Sequence, residues 1–262
     1  GRTTATAAMN GTASDAFCGR LALVTGGGSG IGRAVCIILA QRGARVLVTD
    51  IDLDAANTTL AHLKATAGPA EHAAMQIDVG CPSSVKTVFD SIQKEPVSIV
   101  VHCAGVLGSL KSFLDLDVDE FDRIMSVNLR GTFLVTQAAA QCMLRTKVAD
   151  GCIVNIASAA ARTKHPGFSA YSASKAAVST FTRCAAVDVA GTGIRVNAVA
   201  PCLTDTPMAS KGFSEAQMAQ YSAGIPLGRA ARPEEVASVV AFLCGADSAF
   251  VTGTTVDVSG GL

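Results

Sequence analysis

From Leu21 onward the chain alternates short apolar runs with longer stretches in which apolar residues recur every three or four positions. LALVT is followed by IGRAVCIILAQRG, ARVLVTD by LDAANTTLAHLKA, and then comes AAMQIDV. Apolar runs of about five residues closed by Gly or Asp read as strands, and the segments between them have helix length. The predicted order is βαβαβ with a parallel sheet. Further strands are expected at VSIVVHCAG, GCIVNIAS, IRVNAVAP and TTVDVSGG, with a long helix from about Val118 to Val148. Seven strands with no Pro/Gly-rich linker predict an α/β protein. The expected fold is a single doubly wound Rossmann domain, a seven-stranded parallel sheet with helices on both faces, over residues 18–262.

The opening GRTTATAAMNGTASDAF is small and polar and lacks the apolar core of a secretory signal. Residues 1–17 are set aside as a flexible tail, with a mitochondrial leader or an expression remnant as alternatives.

Charge changes the picture in one respect. Lys+Arg number 21 against 21 Asp+Glu, and charged residues make up only 16% of the chain, so much of the surface is expected to be covered in an oligomer. No basic run supports a nucleic-acid role, and no apolar run is long enough to span a bilayer. Nine cysteines without any CxxC and four histidines without ligand spacing predict a reducing, intracellular compartment and no metal site.

Between the first strand and the first helix lies Thr25-Gly26-Gly27-Gly28-Ser29-Gly30-Ile31-Gly32. An ordinary tight turn does not need glycine at 26, 28, 30 and 32. A pyrophosphate approached by bare backbone and by the N–H groups of a helix start does. Asp50 ends the second strand twenty residues after Gly30, where a dinucleotide fold places an acid against the adenosine ribose. Capping the next helix is its other reading, although Asp52 serves that purpose as well. Asp78, at the next strand end, is equally an adenine neighbour or a turn residue.

Tyr171 and Lys175 stand four apart in YSASK, on one helical face. A half-buried aromatic beside a solvated lysine explains that spacing too, so the pair gains meaning only from its surroundings.

Those surroundings carry a resemblance. Thr25-Gly26-x-x-x-Gly30-Ile31-Gly32, Asn128 in VNLRG, Ser158 in NIAS, Tyr171-x-x-x-Lys175 and VNAVAP ending at Pro201 fall in the order and spacing of the short-chain dehydrogenase/reductases. The similarity runs from Leu21 to Leu262. GRAV, PEEVASVVAFL and VTGTTVDVSGGL look most like the branch holding 17-beta-hydroxysteroid dehydrogenase type 8 and the 3-oxoacyl-acyl-carrier-protein reductases.

The resemblance implies an NAD-dependent oxidoreductase interconverting a secondary alcohol and a ketone, on 3-hydroxyacyl thioesters or 17β-hydroxysteroids. Its alternatives are an NADPH-dependent acyl-carrier-protein reductase and a non-catalytic dinucleotide sensor. Against the carrier-protein reading, the expected basic docking patch is partial: Arg145 and Lys147 are mixed with Asp150, and Thr192 stands in the second region. By the same resemblance Tyr171 is the acid/base and Ser158 holds the substrate oxygen. Lys175 bonds the nicotinamide ribose, and Asn128 positions a water. A phenol ionises near pH ~10, so Lys175 and an oxidised nicotinamide are together expected to draw Tyr171 downward toward working pH.

Implied cofactor contacts are Gly26, Gly28, Ser29, Gly30, Ile31, Gly32, Asp50, Asp78, Val79, Cys103, Ala104, Gly105, Tyr171, Lys175, Pro201, Thr204 and Thr206. The segment Thr204 to Tyr221 is where the family places a substrate lid, here with Met208, Phe213, Met218 and Tyr221. A homotetramer, or pairing with a related subunit, and a mitochondrial-matrix location (otherwise cytoplasm) follow from the same likeness. Two positions depart from the pattern. His102-Cys103-Ala104-Gly105 replaces the usual Asn-Asn-Ala-Gly, so a strand-bridging amide is missing or replaced, and Cys202 replaces a Gly.

Overall fold

The computed structural model describes residues 16–67 and 70–262. Seven strands form one parallel sheet in the order β3-β2-β1-β4-β5-β6-β7. They are β1 Leu21–Thr25, β2 Arg45–Asp50, β3 Ala73–Gln76, β4 Val97–His102, β5 Gly151–Ile156, β6 Ile194–Pro201 and β7 Thr255–Val258. The helices are α1 Gly30–Gln41, α2 Leu53–Thr66, α3 Pro82–Ser91, α4 Val118–Met125, α5 Gly131–Arg145, α6 Ser169–Asp188, α7 Pro207–Gly212, α8 Glu215–Ala223 and α9 Pro233–Cys244.

The uninterrupted apolar runs are explained by cover on both faces. Successive residues of a strand point to opposite sides. In β1, Ala22 and Val24 join a core with Val35 and Leu39 of α1 and Val236 and Val240 of α9. Leu21 and Leu23 join the opposite core with Val88 of α3 and Val135 and Met143 of α5. Burying each such side chain stabilises the fold by about 1.5–3 kcal/mol.

The domain begins earlier than the sequence suggested. Phe17, assigned above to the tail, is 1% exposed within the first core, and its N–H donates to the Arg42 carbonyl. Ala16 is exposed, and the rest of that segment, 1–15, lies outside the described residues. The single helix expected over 118–148 is interrupted: α4 passes through one π-helical turn, Ser126–Arg130, into α5, which ends at Arg145. Among the described residues no helix is long and apolar enough to cross a membrane, and no His/Cys/Asp/Glu group is placed to hold a metal ion.

The strand order reverses direction between β1 and β4. In open parallel sheets the crevice beyond the carboxyl ends of the strands at that point is where ligands bind.

Candidate active site

The β1–α1 turn enters this crevice with its backbone bare. Gly26 has φ +64, and a Cβ there would lie 2.8 Å from the Ala104 N; Gly30 has φ +49, and its Cβ would reach the Thr206 side chain at 3.1 Å. Neither conformation nor space admits another residue cheaply. Ser29 is the N-cap of α1 but makes no side-chain cap bond, and the first turn holds no acid. By contrast Asp52 caps α2 through the N–H groups of Asp54 and Ala55. The start of α1 is therefore left to an outside anion.

With Asp52 capping α2, Asp50 is left to the loop at the end of β2. Its Oδ2 accepts from the Gly28 N–H at 2.9 Å and its Oδ1 from the Asp52 N–H at 3.1 Å. These two bonds aim the carboxylate beside the glycine turn, with lone pairs remaining on each oxygen. On the other side of Gly28, the Arg33 guanidinium donates to the Gly28 carbonyl and to Thr59 Oγ1. Glycine backbone, uncapped helix start and placed carboxylate together fit a nicotinamide dinucleotide.

Beside the turn, reached by its Ile31, lies a cavity of about 490 Å³. Ile31, Cys103, Gly105, Ser158, Tyr171, Lys175, Pro201, Thr204 and Thr206 all line it. Gly26, Gly28, Ser29, Gly30, Gly32, Asp50, Asp78, Val79, Ala104 and Asn128 do not. Asp78 is an exposed turn residue whose Oδ1 accepts from the Gly80 N–H at 2.9 Å, while Val79 is buried.

Tyr171 and Lys175 share one face of α6, with Nζ 5.8 Å from the ring centroid. Nζ donates to the Ile156 carbonyl at 2.7 Å, so β5 fixes the ammonium and α6 the phenol. Ser158, just beyond β5, accepts from the Ala160 N–H at 3.1 Å, which holds its Oγ in the cavity wall. Asn128 is fully buried in the π-turn behind that wall. Its Oδ1 accepts from the Val106 N–H at 2.8 Å, and its Nδ2 donates to the Val106 carbonyl at 2.9 Å and to Ser174 Oγ at 3.1 Å. It pins the loop after β4 to α6, next to Gly105, whose added Cβ would lie 3.4 Å from Lys175 Nζ.

The electrostatics correct one expectation. Burial raises the Tyr171 phenol above its ordinary range, and only the Ser158 hydroxyl pulls it back. Lys175 is not among the groups that shift the phenol; the same burial penalises its ammonium and lowers Lys175 from its ordinary 10.5 to about 8, which leaves it charged at pH 7. A buried lysine that binds protons less tightly than the unfolded chain costs stability at pH 7. That cost fades as pH rises from about 8 to about 10.5. Lys175→Met is expected to resist urea better than wild type at pH 7. The gain is about 2 kcal/mol, from about 3 for the relieved charge less about 1 for the lost Ile156 bond. That advantage should vanish or reverse by pH 10; an equal difference at both pH values contradicts a charged Lys175.

The missing amide at Cys103 is replaced by its neighbour. His102 Nδ1 pairs with Thr25 Oγ1 at 2.9 Å across the β1–β4 register, and the Ala104 N–H donates to the same Oγ1 at 3.3 Å. Burial lowers His102 to about 3, so the imidazole is neutral. Burial also raises Cys103 to about 12 and lifts Cys202, leaving both as unreactive thiols.

Over the cavity lie α7 and α8. Phe213 stacks on Phe168 at 6.1 Å and meets Tyr221 at 5.1 Å, and Tyr221 meets His165 at 5.4 Å. Met208, Phe213 and Tyr221 line the cavity as expected of lid residues, whereas Met218 does not. Sequence reasoning missed His165, Phe168 and Gln220, which carry no motif and reach the cavity only through packing.

A family model described as "Enoyl-(Acyl carrier protein) reductase" matches residues 26–262. A short-chain type dehydrogenase/reductase of Mycobacterium marinum superposes with a TM-score of 0.87 at 32% identity, covering 94% of this chain and 96% of that one. The chain belongs to the short-chain dehydrogenase/reductase family. It is 42% identical to the (3R)-3-hydroxyacyl-CoA dehydrogenase of Homo sapiens, over 92% of this chain and 95% of that protein. It also superposes on a 3-ketoacyl-(acyl-carrier-protein) reductase from Brucella melitensis complexed with NADH. That TM-score is 0.86 at 30% identity, with 94% and 98% of the two chains covered. As a member of this family, the protein is an oxidoreductase of CH–OH groups that binds a nicotinamide dinucleotide.

Proposed function

We propose that this short-chain dehydrogenase/reductase is NAD-dependent and interconverts 3-hydroxyacyl-CoA and 3-oxoacyl-CoA thioesters. The observation that carries the reading is a largely apolar cavity with the Tyr171 phenol, the Ser158 hydroxyl and the Lys175 ammonium gathered in it. An acyl chain fits such walls, and the human relative's name points to the same substrate class.

In the oxidative direction Ser158 Oγ donates to the substrate oxygen, and Tyr171 Oη takes the hydroxyl proton. The dinucleotide, bound in its oxidised form, would supply the hydride acceptor and the positive charge that favours the phenolate. Lys175, anchored on the Ile156 carbonyl, would hold the nicotinamide ribose beside the phenol. Burial has raised the phenol, so the free protein keeps its proton at neutral pH and is set for reduction. Asn128 acts behind this row by fixing the Val106 loop.

The test is cofactor turnover on acetoacetyl-CoA, 3-hydroxybutyryl-CoA, estradiol and a polyol. The thioesters should be fastest. A steroid is the second reading, because the same apolar cavity suits it, and faster estradiol turnover would favour it. Faster polyol turnover would contradict both.

A homotetramer belongs to the same proposal. Phe121, Phe133 and Leu144 on α4 and α5 and Val187 on α6 are exposed apolar side chains on neighbouring helices, and Phe133 meets Phe181 of α6 at 6.0 Å. Light scattering at micromolar concentration should give about four times the 26.5 kDa chain mass; a monomer would refute it.

A further inference from the structure

A second cavity of about 1020 Å³ lies directly against the first. The two share Thr163, His165, Phe168, Gln220 and Tyr221, so one ends at the aromatic wall where the other begins. Their chemistry differs. The first is walled by apolar side chains around Tyr171. The second adds Ser112, Ser169, Ser172 and Gln217, which bring hydroxyls and an amide, and it contains one cation, Lys164. No Asp or Glu side chain lines either cavity. Among the described residues Lys164 forms no ion pair, and it is exposed; Lys111, between the lining residues Leu110 and Ser112, does not line the cavity and is held by Asp117 at 3.4 Å.

A molecule that fills both cavities must be apolar at the reacting end, carry hydrogen-bonding groups along its length and end in negative charge. A steroid has neither the polar arm nor the anion. In a 3-hydroxyacyl thioester the reacting carbon is two carbons from the thioester. With that carbon at Tyr171, the rest of the molecule must leave at once through the nearest opening. Tyr171 touches Phe168 at 6.1 Å, and Phe168 belongs to the shared wall.

We propose that the second cavity seats the pantetheine arm of the acyl-CoA, with Ser169, Ser172 and Gln220 meeting its amides and Lys164 its diphosphate. This rests on the thioester reading of the active site. Coenzyme A is chosen over an acyl-carrier protein because a small diphosphate needs one unpaired cation, whereas an acidic protein needs a basic patch. The mouth instead presents Phe113, which is 72% exposed.

The experiment compares acetoacetyl-CoA with the acetoacetyl thioester of N-acetylcysteamine, which carries the same acyl group without the diphosphate, in wild type and in Lys164→Glu. The variant should raise KM for the CoA ester about tenfold with kcat unchanged, leave the truncated thioester unaffected and lose its effect in high salt. Free coenzyme A should compete with the CoA ester in wild type and less well in the variant. If Lys164→Glu shifts both thioesters equally, or neither, the assignment is overturned while the thioester reading stands. If an acyl-carrier-protein thioester is turned over faster than the CoA ester and shows the same sensitivity, the cavity serves a carrier protein and the choice of coenzyme A is overturned. If no thioester is turned over at all, the reading of the active site fails and this proposal with it.

Discussion

Replacing Tyr171 by Phe should lower kcat by about 10²–10⁴-fold, the usual loss when a general acid/base is removed, while dinucleotide binding is retained. The substitution removes one oxygen and keeps the ring, so the edge contact with Phe168 survives. Lys175 stays on Ile156, because that bond does not involve the phenol. What disappears is the only group at the cavity wall that Ser158 pulls toward ionisation. The residual rate comes from the positioning and polarisation by Ser158 and Lys175 that remain. The measurement pairs steady-state turnover with calorimetric titration of the cofactor. Near wild-type turnover would remove Tyr171 from the mechanism. Loss of cofactor binding along with turnover would show that the residue acts on the site's shape rather than on a proton.

The sheet was legible in the chain because a strand covered on both faces must be apolar throughout. IRVNAVAP is β6 residue for residue, Ile194–Pro201, and all its residues are buried. The π-turn at Ser126–Arg130 left no such mark. A single π-turn barely alters helical periodicity, and VNLRGTFLV reads as continuous helix. It matters because it carries Asn128, buried at the joint where α4 becomes α5. Phe17 was hidden for a different reason: one aromatic after sixteen mostly small and polar residues gives no pattern, and its burial depends on the far end of α1 and on α9.

The site was legible as a list of groups but not as electrostatics. The spacing of Tyr171 and Lys175 fixed that they share a face, and they do. It did not reveal that Lys175 is buried and Tyr171 half-buried, and desolvation decides their titration: phenol up, ammonium down. The His102-Cys103 departure likewise announced a missing amide without naming its replacement. The Cα pairing of Thr25 with His102 supplies it, and register is a property of the sheet rather than of either segment alone.

Wild-type protein should use NAD(H) at least tenfold better than NADP(H), and the double variant Asp50→Ala, Ile51→Arg should move that preference toward NADP(H). Asp50 is held by the Gly28 and Asp52 N–H groups and cannot easily turn away from a ligand seated on the glycine turn. Its carboxylate accepts hydrogen bonds from ribose hydroxyls, whereas a 2′-phosphate would bring like charges together. At ~4 Å and an effective dielectric of ~20, one such pair repels by up to ~4 kcal/mol. Asp50 is only half-buried, so screening takes part of this away. Arg33 takes another part, since its charge stands on the opposite side of Gly28; but its donors are directed at Thr59 and the Gly28 carbonyl, which braces the loop. A residue of ~1.4 kcal/mol already gives the tenfold preference. Ile51 is 65% exposed, so arginine there meets no packing penalty and supplies the cation that a 2′-phosphate needs. The comparison is kcat/KM with each cofactor, before and after the exchange. Equal use of both by the wild type, or an unmoved ratio in the variant, would show that Asp50 does not read the ribose.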